Sequence, residues 1–329
     1  MNYRTLGKTG INVSEISLGT WQVGGKWGER FDFANAERIL NLAADKGVNF
    51  FDTADVYGEI AGQSEKAIGN FIKQRSEKIY VATKCGRKLN PHSNEAYTPK
   101  ALRGFVEDSL RNMGLENIDL IQLHCPPPEV YYRPEIFELF DKLKSEGKIA
   151  HLGVSVQKVE EGLKAIEFEN VTTVQIIFNM FRQRPSELFF EQAQKRNVGI
   201  LARVPLASGL LTGKFTSSTT FSAGDHRNFN RNGEAFDKGE TFAGIDYSTG
   251  LKAVEGLKAM FAGKDLAHVA LRWALMFPAV SCVIPGASKP EQVLANLKAL
   301  EIPGLSDSDM KSIRNLYNNT IKHLVHHLW

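Results

Sequence analysis

Cysteine is scarce in this chain, with three residues, Cys85, Cys125 and Cys282, among 329. Their odd number and wide spacing argue against a disulfide framework and against the paired spacings of a zinc site. A reducing, cytoplasmic setting is therefore expected. Charge of one sign is missing as well: 40 basic residues stand against 37 acidic ones, a net charge of +3. No Lys/Arg run dominates any stretch, so neither nucleic acid nor a membrane surface is an expected partner. Long apolar runs are also absent. The most apolar stretch, HVALRWALMFPAVSCVIPG, is interrupted by Arg272 and Pro278 before it reaches the ~18 residues of a membrane span. The opening MNYRTLGKTG has no apolar core of a secretory signal. No GxGxxG follows an apolar run, which leaves a Rossmann site without its fingerprint. Solenoid repeats and low-complexity tracts do not occur.

What the chain does contain is a rhythm. Short apolar runs alternate with amphipathic stretches at intervals of roughly 25 to 35 residues, as in repeated βα units with a parallel sheet. Candidate strands end near Leu18, Asp52, Thr83, Leu123, Val154, Ile177, Ala202 and Ile284. Helical patterns cover 35–46, 64–73, 100–113, 134–146, 159–167, 185–196, 266–276 and 290–300. This count predicts one α/β domain over 1–329, a (β/α)8 TIM barrel. YRTLGKTGINVSEIS reads as a β-hairpin capping the barrel bottom, because Gly7 to Gly10 is turn-rich between β-forming residues. Residues 306–322 read as an added helix within a C-terminal extension, 306–329. Residues 215–246 show weak periodicity, and unstructured segments of about 30 residues inside compact domains are commonly functional lids.

Three strand ends carry reactive groups: Asp52 in FDTADVYG, Lys84 in VATKCG and His124 in IDLIQLHCP. Tyr57 follows Asp52 on the adjoining loop. In a parallel barrel the C-terminal strand ends share one face, where barrel enzymes place their chemistry. By strand alternation Asp52 shares a face with Phe50, Lys84 with Ala82 and Tyr80, and His124 with Gln122 and Leu120. If those faces look inward, a carboxylate, an ammonium, a phenol and an imidazole converge. An ammonium beside a phenol favours its ionised form and lowers its pKa, and Asp52 would hold Lys84 charged. Such a site can protonate an oxygen becoming an alkoxide, as carbonyl reduction by hydride requires, with His124 orienting the carbonyl. Cys85 and Cys125, each next to one of these residues, should point to the opposite side and pack against helices.

The blocks LGKTG, LGTW, FDTADVYG, TKCG, SLRNMGLENIDLIQLH, PLASGLLTGK and IPGASKPEQ resemble, in order and along essentially the whole chain, those of the aldo-keto reductases. The similarity is greatest to the bacterial members and the potassium-channel β subunits. The resemblance implies an NADP(H)-binding barrel in which Tyr57, Lys84, His124 and Asp52 form the catalytic tetrad. It further implies that Ser155 and Gln175 bond a nicotinamide carboxamide and that Thr20 and Trp21 border the ring. Val156 stands where the family usually has Asn. Arg203 stands where relatives often stack an aromatic residue on the nicotinamide; its guanidinium can lie on the ring or pair with a carboxylate.

Leu206, Gly209, Leu210, Lys214 and Arg227 resemble the segment folding across the pyrophosphate, with Arg231 competing for the role of Arg227. Ser288 and Lys289, at a turn leading into a helix, offer a hydroxyl and a cation beside free amides that suit the 2′-phosphate. By resemblance Gln292 and Asn296 touch the adenosine, with Gly286 and Gln292 in the approximate places of two basic residues common in the family. Candidate pocket walls are Trp21, Trp27, Tyr131, Tyr132, Phe178 and Trp329.

The expected activity is NADPH-dependent reduction of small aldehydes or ketones. Alternatives are a nucleotide-loaded binding or redox-sensor subunit, a sugar or polyol dehydrogenase working oxidatively, and a metal-dependent hydrolase using Asp52 and His124. The last lacks further ligands at suitable spacing, and no metal is expected. Substrate identity and oligomeric state are not legible in the sequence.

Overall fold

Successive side chains of a strand point to opposite faces, so the short, largely apolar runs put apolar groups on both, and a sheet with both faces apolar must be covered on both sides. The computed structural model, which describes residues 1–25 and 29–329, meets that requirement by closing the sheet. Its strands are β3 (Leu18–Gly19), β4 (Phe50–Asp52), β5 (Tyr80–Cys85), β6 (Ile118–His124), β7 (Ile149–Ser155), β8 (Val171–Ile177), β9 (Gly199–Arg203) and β10 (Val280–Val283). All eight are parallel and neighbours in chain order. Parallel bridges Ile16↔Val283 and Gly19↔Gly286 join the first edge to the last. The result is a (β/α)8 barrel.

Two separate apolar clusters follow from this closure. Phe50, Ala82, Leu120, Leu201, Cys282 and Ile284 fill the barrel interior, while Phe51, Val81, Cys85, Ile121, Leu123 and Val154 face the helices. The inward placement of Phe50, Ala82 and Leu120 puts Asp52, Lys84 and Gln122 on the inner face, as alternation predicted. A hairpin of β1 (Tyr3–Thr5) and β2 (Asn12–Ser14) plugs the bottom, burying Leu6, Ile11 and Val13 in the interior cluster. Gly7 makes this seat possible: its φ is +52°, and a Cβ there would lie 2.2 Å from the backbone nitrogen of Gly199.

The helices are α1 (Phe33–Asp45), α2 (Gln63–Lys73), α3 (Pro99–Met113), α4 (Pro134–Ser145), α5 (Val159–Ala165), α6 (Phe189–Lys195), α7 (His226–Phe229), α8 (Tyr247–Met260), α9 (Leu266–Leu275), α10 (Pro290–Leu297), α11 (Asp307–Thr320) and α12 (Lys322–Val325). Several starts are locally encoded. Thr98 caps α3 ahead of Pro99, and Ser306 and Asp309 form a reciprocal capping box on α11.

Helix α8 was not anticipated. Its Gly250 and Gly256 weaken the helical signal, yet they let neighbours approach: a Cβ on either would come within 2.8 Å of Leu210 or Leu316. The helix exists because it packs, with Asp246 capping its first turn. Helix α6 begins later than expected, since residues 184–186 form a separate 3₁₀ turn.

Candidate active site

Strand register aligns the polar tips. Lys84 pairs with Gln122, His124 with Ser155, Ser155 with Gln175, and Ile177 with Arg203. They stand at the end of the barrel that opens onto a cavity of about 670 Å³, within the size range of small-molecule sites.

Asp52 is the anchor. One carboxylate oxygen accepts from Lys84 Nζ at 2.6 Å, and the other accepts from Gln175 Nε2 at 2.7 Å and Gln122 Nε2 at 3.1 Å. Lys84, fully buried, also donates to the Thr53 carbonyl at 2.7 Å, and its Nζ lies 5.1 Å from the centre of the Tyr57 ring. Burial works to lower the Lys84 pKa, but the Asp52 carboxylate and Tyr57 reverse this and hold it above the ordinary lysine value. The ammonium is therefore charged at neutral pH. For Tyr57 the expected net lowering does not occur. Burial raises its pKa above the ordinary tyrosine value, and the opposing pull of Lys84 is outweighed. The phenol is consequently a protonated donor.

His124 meets Tyr57 edge-on, with ring centres 6.2 Å apart. Burial first, then the charges of Lys84, Arg87 and Arg203, drive its pKa well below the ordinary histidine value, so the ring is neutral. Its buried Nδ1 has no hydrogen-bond partner among the described residues.

The remaining expected residues divide by position. Thr20, Trp21, Gln175, Arg203, Leu206, Gly209, Lys214, Arg227, Gly286, Gln292 and Asn296 line the cavity together with Asp52, Tyr57 and His124. Lys84 lies behind that surface, as does Ser155, which is buried with its Oγ 3.6 Å from Cys125 Sγ. Thr20 donates to the Asp52 carbonyl at 3.0 Å. Gln175 is committed to Asp52, so its amide also braces the carboxylate. Ser288 and Lys289 stand outside the lining. Ser288 is tied through its N–H and hydroxyl to Gln292 Oε1, at 2.7 and 3.2 Å, and Lys289 is exposed at the start of α10.

Arg203 pairs with Glu240 at 2.7 Å and donates to the Val156 carbonyl at 3.1 Å. The carboxylate comes from the long 215–246 segment and not from a strand end. Arg227 is held by Asp225 at 2.5 Å and lies over Phe221. Arg231 bonds the Arg227 carbonyl and lies among the Phe221, Phe242 and Tyr247 rings, outside the cavity lining. That settles which of the two faces the cleft.

Several expectations are corrected. Cys85 faces the helices, but Cys125 does not: its φ of +48° breaks the strand alternation and turns the thiol into the cavity wall, 3.8 Å from Arg203. Tyr131 is buried in the outer core, Tyr132 lies on the surface over Lys164, and Phe178 stacks on Trp273. Trp329 is away from the cavity too; its indole donates to Asp237 at 3.1 Å and packs on Arg182. Of the expected walls, Trp21 alone lines the cavity among the described residues, and Trp27 lies outside them.

Sequence reasoning missed Arg87, Glu240, His226 and Phe236, all cavity-lining. Three of these come from the long segment. It carries no periodic signal that could have placed them.

The family model described as "Aldo/keto reductase family" matches residues 15–318. Aldo-keto reductase YhdN of Bacillus subtilis (strain 168) is 33% identical, covering 98% of this chain and 95% of that protein. Potassium-channel β subunits, probable or putative by name, of Arabidopsis thaliana and Schizosaccharomyces pombe are also among the relatives. The aldo-keto reductase AKR11C1 from Bacillus halodurans, in its holo form, superposes with a TM-score of 0.79 at 26% identity, covering 99% of each chain. The glycerol dehydrogenase AKR11B4 from Gluconobacter oxydans gives 0.78 at 31% identity, covering 97% of this chain and 96% of that one. By its sequence and its barrel alike, this chain belongs to the aldo/keto reductase family, oxidoreductases that bind a nicotinamide cofactor.

Proposed function

We propose that the protein reduces small aldehydes and ketones to alcohols with NADPH, Tyr57 serving as general acid. The observation that carries this reading is the relay from Asp52 through Lys84 to Tyr57, beside a neutral His124 at the cavity wall. The residues suit a dinucleotide: the cavity is large enough to admit one, Lys214, without an ion pair among the described residues, lines it, and so do Gln292 and Asn296 of α10. When bound, NADPH supplies the hydride.

The chain's own groups manage the proton. Tyr57, kept protonated by burial, gives its proton to the carbonyl oxygen as charge builds there. Lys84 stabilises the phenolate left behind, and Asp52 with Gln122 and Gln175 holds that ammonium in place. His124, uncharged, donates one N–H to the same oxygen without adding a competing cation. Residues 215–246 act as a lid, since they bring Phe215, His226, Arg227, Phe236 and Glu240 to the cavity wall. Three free, buried cysteines accord with a reducing, cytoplasmic setting.

Loss of NADPH absorbance against a panel of aldehydes, ketones and sugars tests the reading. Tyr57→Phe should lower turnover by ~10²- to 10⁴-fold while cofactor still binds. Retention of more than about a tenth of wild-type turnover, with chemistry rate-limiting, refutes the assignment. Polyol oxidation is a second reading, favoured by the likeness to a glycerol dehydrogenase. It would appear as a higher kcat/KM for glycerol with NADP than for any carbonyl. A nucleotide-loaded subunit, the reading drawn from the channel relatives, predicts turnover far below the ~10 per second of an ordinary enzyme.

A further inference from the structure

Most cations in or behind the cavity wall are already neutralised. Lys84 is paired with Asp52, Arg203 with Glu240 and Arg227 with Asp225. Among the described residues, the lining Lys and Arg side chains without an ion pair are Lys214 and Arg87. They belong to opposite sides of the barrel. Lys214 follows β9, next to β10 and α10, where the residues assigned to the dinucleotide gather. Arg87 follows β5, the strand four places away around an eight-membered ring.

The placement of Arg87 is built into the chain. Gly86, with φ of +99°, turns the backbone at the end of β5. The next residue, Arg87, then lines the same cavity as Tyr57 and His124. Lys88 pairs instead with the buried Asp55, at 3.4 Å. Arg87 is half-buried and makes no hydrogen bond or ion pair with any described residue. Lys84 is matched by Asp52 and His124 is neutral, while the Glu240 carboxylate, whose field reaches Arg87, is already paired with Arg203, so Arg87 has no carboxylate of its own among the described residues.

We propose that Arg87 recognises an anionic substituent, a carboxylate or a phosphate, on the chain of the aldehyde or ketone that Tyr57 protonates; this rests on the reductase reading above. A guanidinium presents a planar fork that matches either anion with two parallel hydrogen bonds. A neutral substrate closing over Arg87 would strip water from an unpaired charge and return nothing. A site with such a group discriminates strongly against analogues that leave it unmet. Trp21 and His226, whose ring centres lie 4.7 Å apart, line the same cavity.

The test compares matched pairs: 4-oxobutanoate against butanal, and glyceraldehyde 3-phosphate against glyceraldehyde. In the wild type kcat/KM should favour the anionic member of at least one pair by ~10-fold or more, the scale of a charge-assisted contact. The preferred pair tells carboxylate from phosphate. Arg87→Met should collapse that ratio and Arg87→Lys should restore part of it. Wild-type indifference to charge in both pairs, or a ratio unmoved in Arg87→Met, overturns the proposal. So does a loss of NADPH affinity in Arg87→Met as large as the loss in kcat/KM, since it would reassign Arg87 to the cofactor. Calorimetric titration with 4-hydroxybutanoate and glycerol 3-phosphate, with 1-butanol and glycerol as neutral controls, needs no turnover. Failure to reduce any carbonyl refutes the proposed reaction, whereas binding of both anions that ignores Arg87→Met refutes the anion site.

Discussion

Glu240→Gln removes the charge that ties the long segment to the barrel while keeping the shape of the side chain. Glu240 meets Arg203 at 2.7 Å, and their side chains are 25% and 9% exposed. Breaking a fully buried ion pair costs ~3 to 5 kcal/mol, because the remaining partner is left uncompensated. The partial exposure of Glu240 admits solvent screening and reduces this to about 2 kcal/mol. The bonds from Ser208 Oγ to the Glu240 carbonyl and from Trp329 to Asp237 survive the substitution, so the loss should appear as local opening with the fold retained.

Two kilocalories correspond to about a 30-fold rise in the open population. Where opening is fast relative to cleavage, proteolysis follows that population. Tryptic cutting after Arg231 or Lys238, both exposed, should therefore accelerate by roughly that factor, and saturating NADP should slow it in the wild type. Cutting rates within about twofold of wild type would refute the tether, and no protection by NADP would refute the lid.

The pH dependence has a definite sign. Burial works to raise the Glu240 pKa, but Arg203 reverses this and holds it below the ordinary carboxylate value. A depressed folded pKa stabilises the protein above the unfolded value, and that stability is lost as pH falls through the folded one. The difference in melting temperature between wild type and Glu240→Gln should thus be full above about pH 4.5 and shrink below it.

Lys84→Met should shift alcohol oxidation to higher pH, because Lys84 is the chief influence pulling the Tyr57 pKa down; an unchanged pH profile would break that pairing. Lys289→Ala should weaken NADPH several-fold and leave NADH nearly untouched, measured by fluorescence titration, and equal weakening of both would remove Lys289 as the phosphate reader. Gly7→Ala forces a Cβ to within 2.2 Å of the Gly199 nitrogen at a positive φ, and should cost about 2 kcal/mol or more in thermal or denaturant unfolding.

The architecture and the convergence of Asp52, Tyr57, Lys84 and His124 were legible in the sequence because both rest on local rules. Alternation within Phe50 to Asp52, Tyr80 to Lys84 and Leu120 to His124 decides which side chains turn inward, and closure of a parallel sheet then brings the inward ends together. Cys85 obeyed the same rule. Cys125, one residue beyond its strand, did not, because a left-handed backbone at that position cancels the alternation.

Tertiary structure alone decided what depends on packing between distant segments. Tyr131 and Phe178 went to the outer core because helices cover that side of the strands. Helix α8 formed despite its glycines because Leu210 and Leu316 needed the room they leave. The pairing of Arg203 with Glu240, the amides of Gln122 and Gln175 on Asp52, and the upward pull of burial on Tyr57 arise from groups far apart in sequence. Their energies depend on distance and on exclusion of water, neither of which exists until the chain has folded.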